Sequence, residues 1–177
     1  MTTKVTINRA PVMTLWAAVV AGRLGFDRDT ALTLAKVVTG LNAQAKGQRL
    51  GIFEPGTHKE RIEKLQQRPV GESFAVELLG RAVPVIRTEE GLRAVDDGKP
   101  VSPASVERYL AGKFGENLAA ARTAMEELAG AYTAEELADR AYYLYEKFRP
   151  AIPAGVKGWG AAGELDLGYV RSLARKQ

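Results

Sequence analysis

The sequence predicts a mainly α-helical α+β fold, with an N-terminal helical pair, a small antiparallel β-sheet of hairpins in the middle and a C-terminal unit of three to four helices. Apolar residues recur at helical spacing toward both ends of the chain. In the middle they alternate with polar residues, and Gly, Pro and Asp mark the turns. We expect a single domain over residues 1–177, with a basic helical sub-region at 1–68, β-hairpins at 69–101 and helices at 102–177, because no linker is long or polar enough to separate two domains.

The N-terminal region opens with a short strand or an ordered arm at residues 4–8. A helix then begins near Pro11, which is tolerated in a first turn, and ends at Gly25, a residue typical of helix C-termini. The next helix follows Asp27, a good N-cap. Because only a short turn separates the two helices, we expect them to pack together. A plain packed pair is preferred to a DNA-reading helix-turn-helix, since the second helix is long and its first turns are mostly apolar.

The middle of the chain has the alternation of β-strands. Residues 74–78 and 83–86 predict a hairpin with Gly80 in its turn, and Pro84 predicts an edge or a bulge for the second strand. Residues 92–95 and 99–101 predict a second hairpin across Asp97-Gly98. Before this sheet, residues 57–67 predict a short solvated helix.

The C-terminal region predicts three amphipathic helices and a tail. Ser102-Pro103 is a cap followed by a first-turn proline, and Thr133 and Glu136 have the spacing of a capping box. The tail is expected to be a Pro/Gly-rich loop and then a short helix, with Trp159 in the loop. Four aromatic side chains are expected to form a buried cluster rather than a surface that stacks on bases: Tyr142, Tyr143, Tyr145 and Phe148.

Composition limits the chemistry. The chain has no cysteine and a single histidine, His58, so neither a thiolate site nor a histidine-based metal set is predicted, and we expect no cofactor. No motif for phosphate-loop, dinucleotide or Ser-His-Asp chemistry is present. The first residues lack the apolar core of a signal peptide, and the longest apolar run is too short to span a bilayer. We expect a soluble, cytoplasmic protein without membrane contact, and abundant Ala, Arg and Gly suggest a bacterial source.

Charge is distributed unevenly along the chain. Residues 1–70 contain 11 Lys/Arg and 5 Asp/Glu, whereas residues 71–177 contain 14 and 16. Between Asp29 and Glu54 there is no acidic residue. Cations and amides that can contact phosphates are concentrated in and after the second helix, and they form the predicted nucleic-acid site: Arg28, Lys36, Asn42, Gln44, Lys46, Gln48 and Arg49. In the hairpins, Arg81 and Arg87 are the residues that could touch a DNA backbone.

The leading functional hypothesis is a non-enzymatic nucleic-acid-binding or regulatory protein that contacts phosphates through this basic helical surface. The alternative is a protein-interaction or scaffold domain that forms a homodimer. Its interface would be the small-residue face formed by Gly40, Ala43 and Gly47, where another backbone could approach closely. An enzyme of unrecognised type comes third, since catalytic groups assemble in space and need no sequence signature.

Overall fold

The computed structural model describes residues 4–44, 67, 69–150 and 162–174. It has the predicted α+β architecture, with helices toward both ends of the chain and a small antiparallel sheet between them. The elements, in chain order, are β1 (Lys4–Asn8), α1 (Arg9–Leu24), α2 (Arg28–Gln44), β2 (Ser73–Leu78), β3 (Arg81–Thr88), β4 (Gly91–Asp96), β5 (Lys99–Pro100), α3 (Pro103–Phe114), α4 (Leu118–Gly130), α5 (Ala134–Phe148), β6 (Ala162–Asp166) and α6 (Leu167–Ser172).

Helix α1 lies at the centre of the core and contacts α2, α4 and α5. Its Trp16 is fully buried. The indole Nε1 donates a hydrogen bond to the Ala141 carbonyl at 2.9 Å, and the ring meets Phe148 edge-on with 5.3 Å between centroids. The predicted burial of the α5 aromatics is confirmed for Tyr145 and Phe148, whereas Tyr143 is 57% exposed and lies on the outer face of the helix.

Both predicted hairpins are present in a sheet of strand order β2-β3-β4-β5. The turn residues Leu79 and Gly80 have φ of 48° and 76°, and Asp97 and Gly98 have 53° and 78°. Two consecutive positive φ values are the geometry of a type I′ turn, whose twist matches that of the strands. Leu79 is unusual at such a position, and its burial against the core accounts for an apolar residue there.

Pro84 does not lie on an edge strand, so that part of the prediction is wrong. Strand β3 is an interior strand, and Pro84 lies opposite Ala75 of β2. Pairing between β3 and β4 begins only at Val85. Pro84 therefore has a strand neighbour on one side only, which is the condition under which a sheet tolerates a residue without an N–H group.

The two ends of the described chain meet in a second sheet, which the sequence did not reveal. Strand β1 pairs antiparallel with β6, with Lys4 opposite Asp166 and Asn8 opposite Ala162. Part of the predicted loop is thus a strand, and the predicted short helix follows it as α6. The Asp166 carboxylate caps that helix by accepting a hydrogen bond from the Tyr169 N–H at 3.1 Å.

Two of the C-terminal helices begin as predicted. Ser102 caps α3 ahead of Pro103, and Thr133 and Glu136 make both hydrogen bonds of the capping box at the start of α5. The helix predicted at 57–67, apart from residue 67, and the loop residue Trp159 lie outside the described residues. Within the described ranges, no helix combines the length and apolar character needed to cross a bilayer.

Candidate nucleic-acid interface

Helix α2 is more deeply buried than its amphipathic pattern indicates. Every residue from 30 to 39 is buried except Lys36. The helix lies between α1 on one side and the sheet and α3 on the others, so three neighbours cover its surface. The surface left to a partner along its described length is a narrow strip that includes Asp29, Lys36 and Gly40.

Two threonines explain how α2 can be buried despite its polar residues. The Thr30 hydroxyl donates to the Leu92 carbonyl at 2.8 Å, and the Thr33 hydroxyl oxygen accepts from the Ala94 N–H at 3.0 Å. These hydroxyls satisfy backbone groups of β4 that would otherwise be buried without partners. The polar side chains of this helix face are therefore used internally.

Asn42, one of the predicted contact residues, is only 6% exposed. Its Nδ2 donates to the Val38 carbonyl at 3.2 Å, and its Oδ1 accepts a hydrogen bond from Arg81 Nε at 2.9 Å. Arg81 is the first residue of β3, immediately after the Leu79–Gly80 turn. The amide thus lies beneath the surface and orients a guanidinium that comes from the hairpin.

Lys36 and Gly40 form the open part of the strip. Lys36 Nζ pairs with Asp96 Oδ2 at 2.8 Å, and the two side chains are 48% and 58% exposed. Exposed pairs of this kind contribute only about 0–1 kcal/mol, so a phosphate can replace the carboxylate at little cost. A Cβ added at Gly40 would meet no atom within 4 Å, so the helix backbone is accessible there.

The structure separates Arg28 from the other predicted residues. It lies at the first turn of α2, and with a rise of about 1.5 Å per residue it is roughly 20 Å along the helix axis from Asn42. Its Nη2 bonds Glu107 Oε1 at 3.0 Å. Helix α2 ends at Gln44, and the Gln44 side chain lies outside the described part, as do Lys46, Gln48 and Arg49.

Comparison with known proteins gives no guide to this site. No protein-family model matches the chain, no curated protein is significantly similar to it, and no solved structure matches its fold. Within residues 4–44, 69–150 and 162–174, no three His, Cys, Asp or Glu side chains form a group that could hold a metal ion.

Proposed function

We propose that this protein is a non-enzymatic nucleic-acid-binding or regulatory protein of the bacterial cytoplasm. Its contact surface, here called the α2–hairpin surface, consists of Lys36, Gly40 and Arg81 together with the basic residues that follow α2. The single observation that supports it best is the hydrogen bond from Arg81 Nε to Asn42 Oδ1, which brings a hairpin guanidinium to the C-terminal end of α2. A guanidinium held in one orientation suits phosphate, because its planar donors match two oxygens at once.

Two further features support the proposal. Residues 30–53 contain three cations and no acidic residue, and two of these cations, Lys46 and Arg49, follow closely after α2. Gly40 has no side chain to hold a phosphate group away from the helix. Lysine and arginine contacts go mainly to the nucleic-acid backbone, and such contacts carry little sequence information.

The first test is fluorescence anisotropy of the purified protein with mixed-sequence single-stranded DNA, double-stranded DNA and RNA, at low and near-physiological salt. Micromolar or tighter binding that weakens steeply with salt is expected, because released counterions dominate phosphate binding. Absence of binding at low salt would eliminate the proposal.

Variants then locate the surface. Arg81→Gln and Lys36→Gln are expected to weaken binding, and Lys46→Glu with Arg49→Glu to abolish it without unfolding the protein. Arg140→Gln is the matched control, because Arg140 is an exposed arginine on α5, outside the α2–hairpin surface. If the Arg140 change weakens binding as much as the Arg81 change, the protein attracts nucleic acid only through its overall charge.

The second candidate is a homodimeric interaction domain, and the openness of Gly40 favours it independently. A helix backbone that is exposed at a glycine can pack closely against its symmetry mate. Gly40→Leu should then lower the molecular mass measured by light scattering. Gly112→Leu on α3, where a Cβ also meets nothing within 4 Å, is the control. A Gly40→Leu protein with unchanged mass and weakened nucleic-acid binding would exclude the dimer and support the first candidate.

A further inference from the structure

A groove with a volume of about 500 Å³ lies at the corner between α1, α2 and α4. This is within the range of roughly 300–1,000 Å³ that is common for binding pockets. It opens beside the first two turns of α2, at the opposite end of that helix from the α2–hairpin surface. Its floor is apolar and consists of small or aliphatic side chains and one aromatic ring: Ala18, Val19, Phe26, Ala31, Leu32 and Ala129.

Each of the three helices contributes one arginine to the groove: Arg23 from α1, Arg28 from α2 and Arg122 from α4. Glu107 of α3 lies between two of them, and its Oε1 is 3.0 Å from Arg28 Nη2 and 2.9 Å from Arg122 Nη2. The groove is also lined by Glu126. Three guanidinium groups thus face two carboxylates, which leaves a positive rim.

Two of these arginines have N–H donors left for an incoming anion. Arg23 Nη2 donates to the Tyr132 carbonyl at 2.8 Å, so the partner in this bond is neutral. The Arg28 side chain is 71% exposed and bonds Glu107 through one of its nitrogens. A guanidinium has five N–H donors, so these contacts leave donors for an incoming carboxylate.

We infer that this groove binds an acidic amphipathic helix of a partner protein. The partner's apolar side chains contact the accessible part of the floor, where Ala18 and Val19 are only partly buried, and its Asp or Glu side chains pair with Arg23 and Arg28. A helix suits the site because the walls are helices, which offer grooves between side chains for a further helix. The groove residues belong to helices α1, α2 and α4 and to the turn between α1 and α2, so no strand edge is present to pair with an extended peptide.

The floor argues against a nucleic-acid ligand here. Base recognition on protein surfaces relies on accessible aromatic rings, and Phe26, the aromatic residue of this floor, is buried. Aliphatic side chains beneath a cationic rim instead match a helix that is apolar on one face and acidic at the edges. The inference is therefore independent of phosphate binding at the α2–hairpin surface.

Gly22 provides a sharp test. It lines the groove in α1, and a Cβ added there would meet no atom within 4 Å. Gly22→Phe should fill the groove and leave the fold intact, since a helical glycine is replaced by a residue with higher helix propensity. Gly112→Phe makes the same change at an equally open helical position outside the groove.

The probe is a fluorescent synthetic peptide with Leu at helical positions i, i+3, i+4 and i+7 and Glu elsewhere, titrated up to about 1 mM, the weak end of the affinity scale. One comparison peptide has Lys in place of Glu, and another has the same composition in scrambled order. The acidic amphipathic peptide is expected to bind. Gly22→Phe, and Arg23→Gln combined with Arg28→Gln, should each weaken it at least tenfold. Two controls should leave the peptide affinity unchanged: Gly112→Phe, and Lys99→Gln combined with Arg140→Gln.

Several results would overturn the inference. These are no binding of the acidic peptide, equal binding of the Lys or scrambled peptide, and an affinity that Gly22→Phe leaves unchanged. The backbone amide resonances of Gly22, Leu32 and Ala129 report the location directly. If an oligonucleotide shifts them and the peptide does not, the groove belongs to a nucleic-acid surface, and the proposed helix partner is wrong.

Discussion

The backbone N–H of Ala94 donates a hydrogen bond to the hydroxyl oxygen of Thr33, 3.0 Å away. Strand β4 pairs with β3 on one side over residues 91–94, whereas β5 pairs with it only at Val95 and Asp96. Helix α2 supplies partners along the remaining edge, since Thr30 also donates to the Leu92 carbonyl. A helix face thus completes the hydrogen bonding of a β-strand and fixes the sheet against the helical pair.

Replacement of Thr33 by Val should lower the free energy of unfolding by about 1–3 kcal/mol, the usual cost of a buried polar group left without its partner. Ala94 is fully buried, so water cannot replace the lost acceptor. Thr33→Ser keeps the hydroxyl group and should retain most of the stability. Urea denaturation followed by circular dichroism measures the stability of both variants. Equal midpoints for the Val and Ser variants would contradict this role of the hydroxyl.

Trp16 should be among the most costly side chains to remove. Its indole is fully buried, bonds the Ala141 carbonyl and packs on Phe148, so Trp16→Ala should destabilise the fold by about 3–5 kcal/mol. Tyr143→Ala is the control. Tyr143 is exposed and lies on the same helix as Ala141, so its replacement should lower the free energy of unfolding only slightly. Thermal unfolding distinguishes them. A small effect of Trp16→Ala would mean that α1 and α5 are held together by other contacts.

Stability should fall at alkaline pH because of Tyr145. Burial raises the pKa of this phenol above its ordinary value of about 10, although the nearby Arg149 and Arg9 partly oppose the shift. Below pH of about 10 the phenol is neutral in both states, and its contribution is fully present. As the pH rises further, only the unfolded state loses the proton, so unfolding becomes easier by up to about 1.4 kcal/mol per pH unit.

Urea denaturation at a series of alkaline pH values tests this linkage. Tyr145→Phe should flatten the decline relative to the unmodified protein, because the titrating group is removed. Tyr143→Phe removes an exposed tyrosine of the same helix and should leave the decline unchanged. An identical pH profile for the unmodified protein and Tyr145→Phe would show that other groups govern alkaline unfolding.

The salt dependence of nucleic-acid binding should show whether Arg81 contacts a phosphate. For a duplex, each phosphate contact contributes about 0.9 to the slope of log K against log salt concentration, so Arg81→Gln should reduce the slope by about one contact. Arg140→Gln should leave it unchanged. A lower affinity with an unaltered slope would mean that Arg81 supports the fold of the hairpin and does not bind phosphate.

Glu107 is expected to weaken binding in the α1–α2–α4 groove, because its carboxylate occupies donors of Arg28 and Arg122. Glu107→Gln should therefore strengthen binding of the acidic amphipathic peptide several-fold. Glu89→Gln makes the same change in charge in the turn between β3 and β4 and should not alter the affinity. A weaker complex for Glu107→Gln would mean that Glu107 positions the arginines for the peptide.

The elements predicted correctly are those whose signals are local. Gly80 and Asp97-Gly98 mark turns between adjacent strands, and Thr133 with Glu136 marks a helix start, so each can be recognised within a few residues. Strand β6 was missed because its partner β1 lies at the other end of the described chain and its own sequence has no clear alternation. The interior position of β3 was missed because strand order depends on pairing and not on Pro84 alone.

The candidate sites were predictable only in part. A concentration of cations and amides in and after α2 is visible in the sequence, but the burial of Asn42 depends on the sheet that covers it. Arg81 could be noted as a basic hairpin residue, whereas its bond to Asn42 required the tertiary structure. The groove could not be predicted, since Arg23, Arg28 and Arg122 are brought together from three helices.

The pairing of β1 with β6 has a consequence for biosynthesis. Val5 and Ile7 of β1 are buried in the folded protein, and β1 is synthesised well before its partner strand β6. At roughly 5–20 residues per second, β1 waits on the order of ten seconds for its partner strand. During that interval the nascent chain carries an apolar strand with open hydrogen-bonding groups, a site where chaperones or other nascent chains can bind. This two-stranded sheet can therefore close only after β6 has been synthesised.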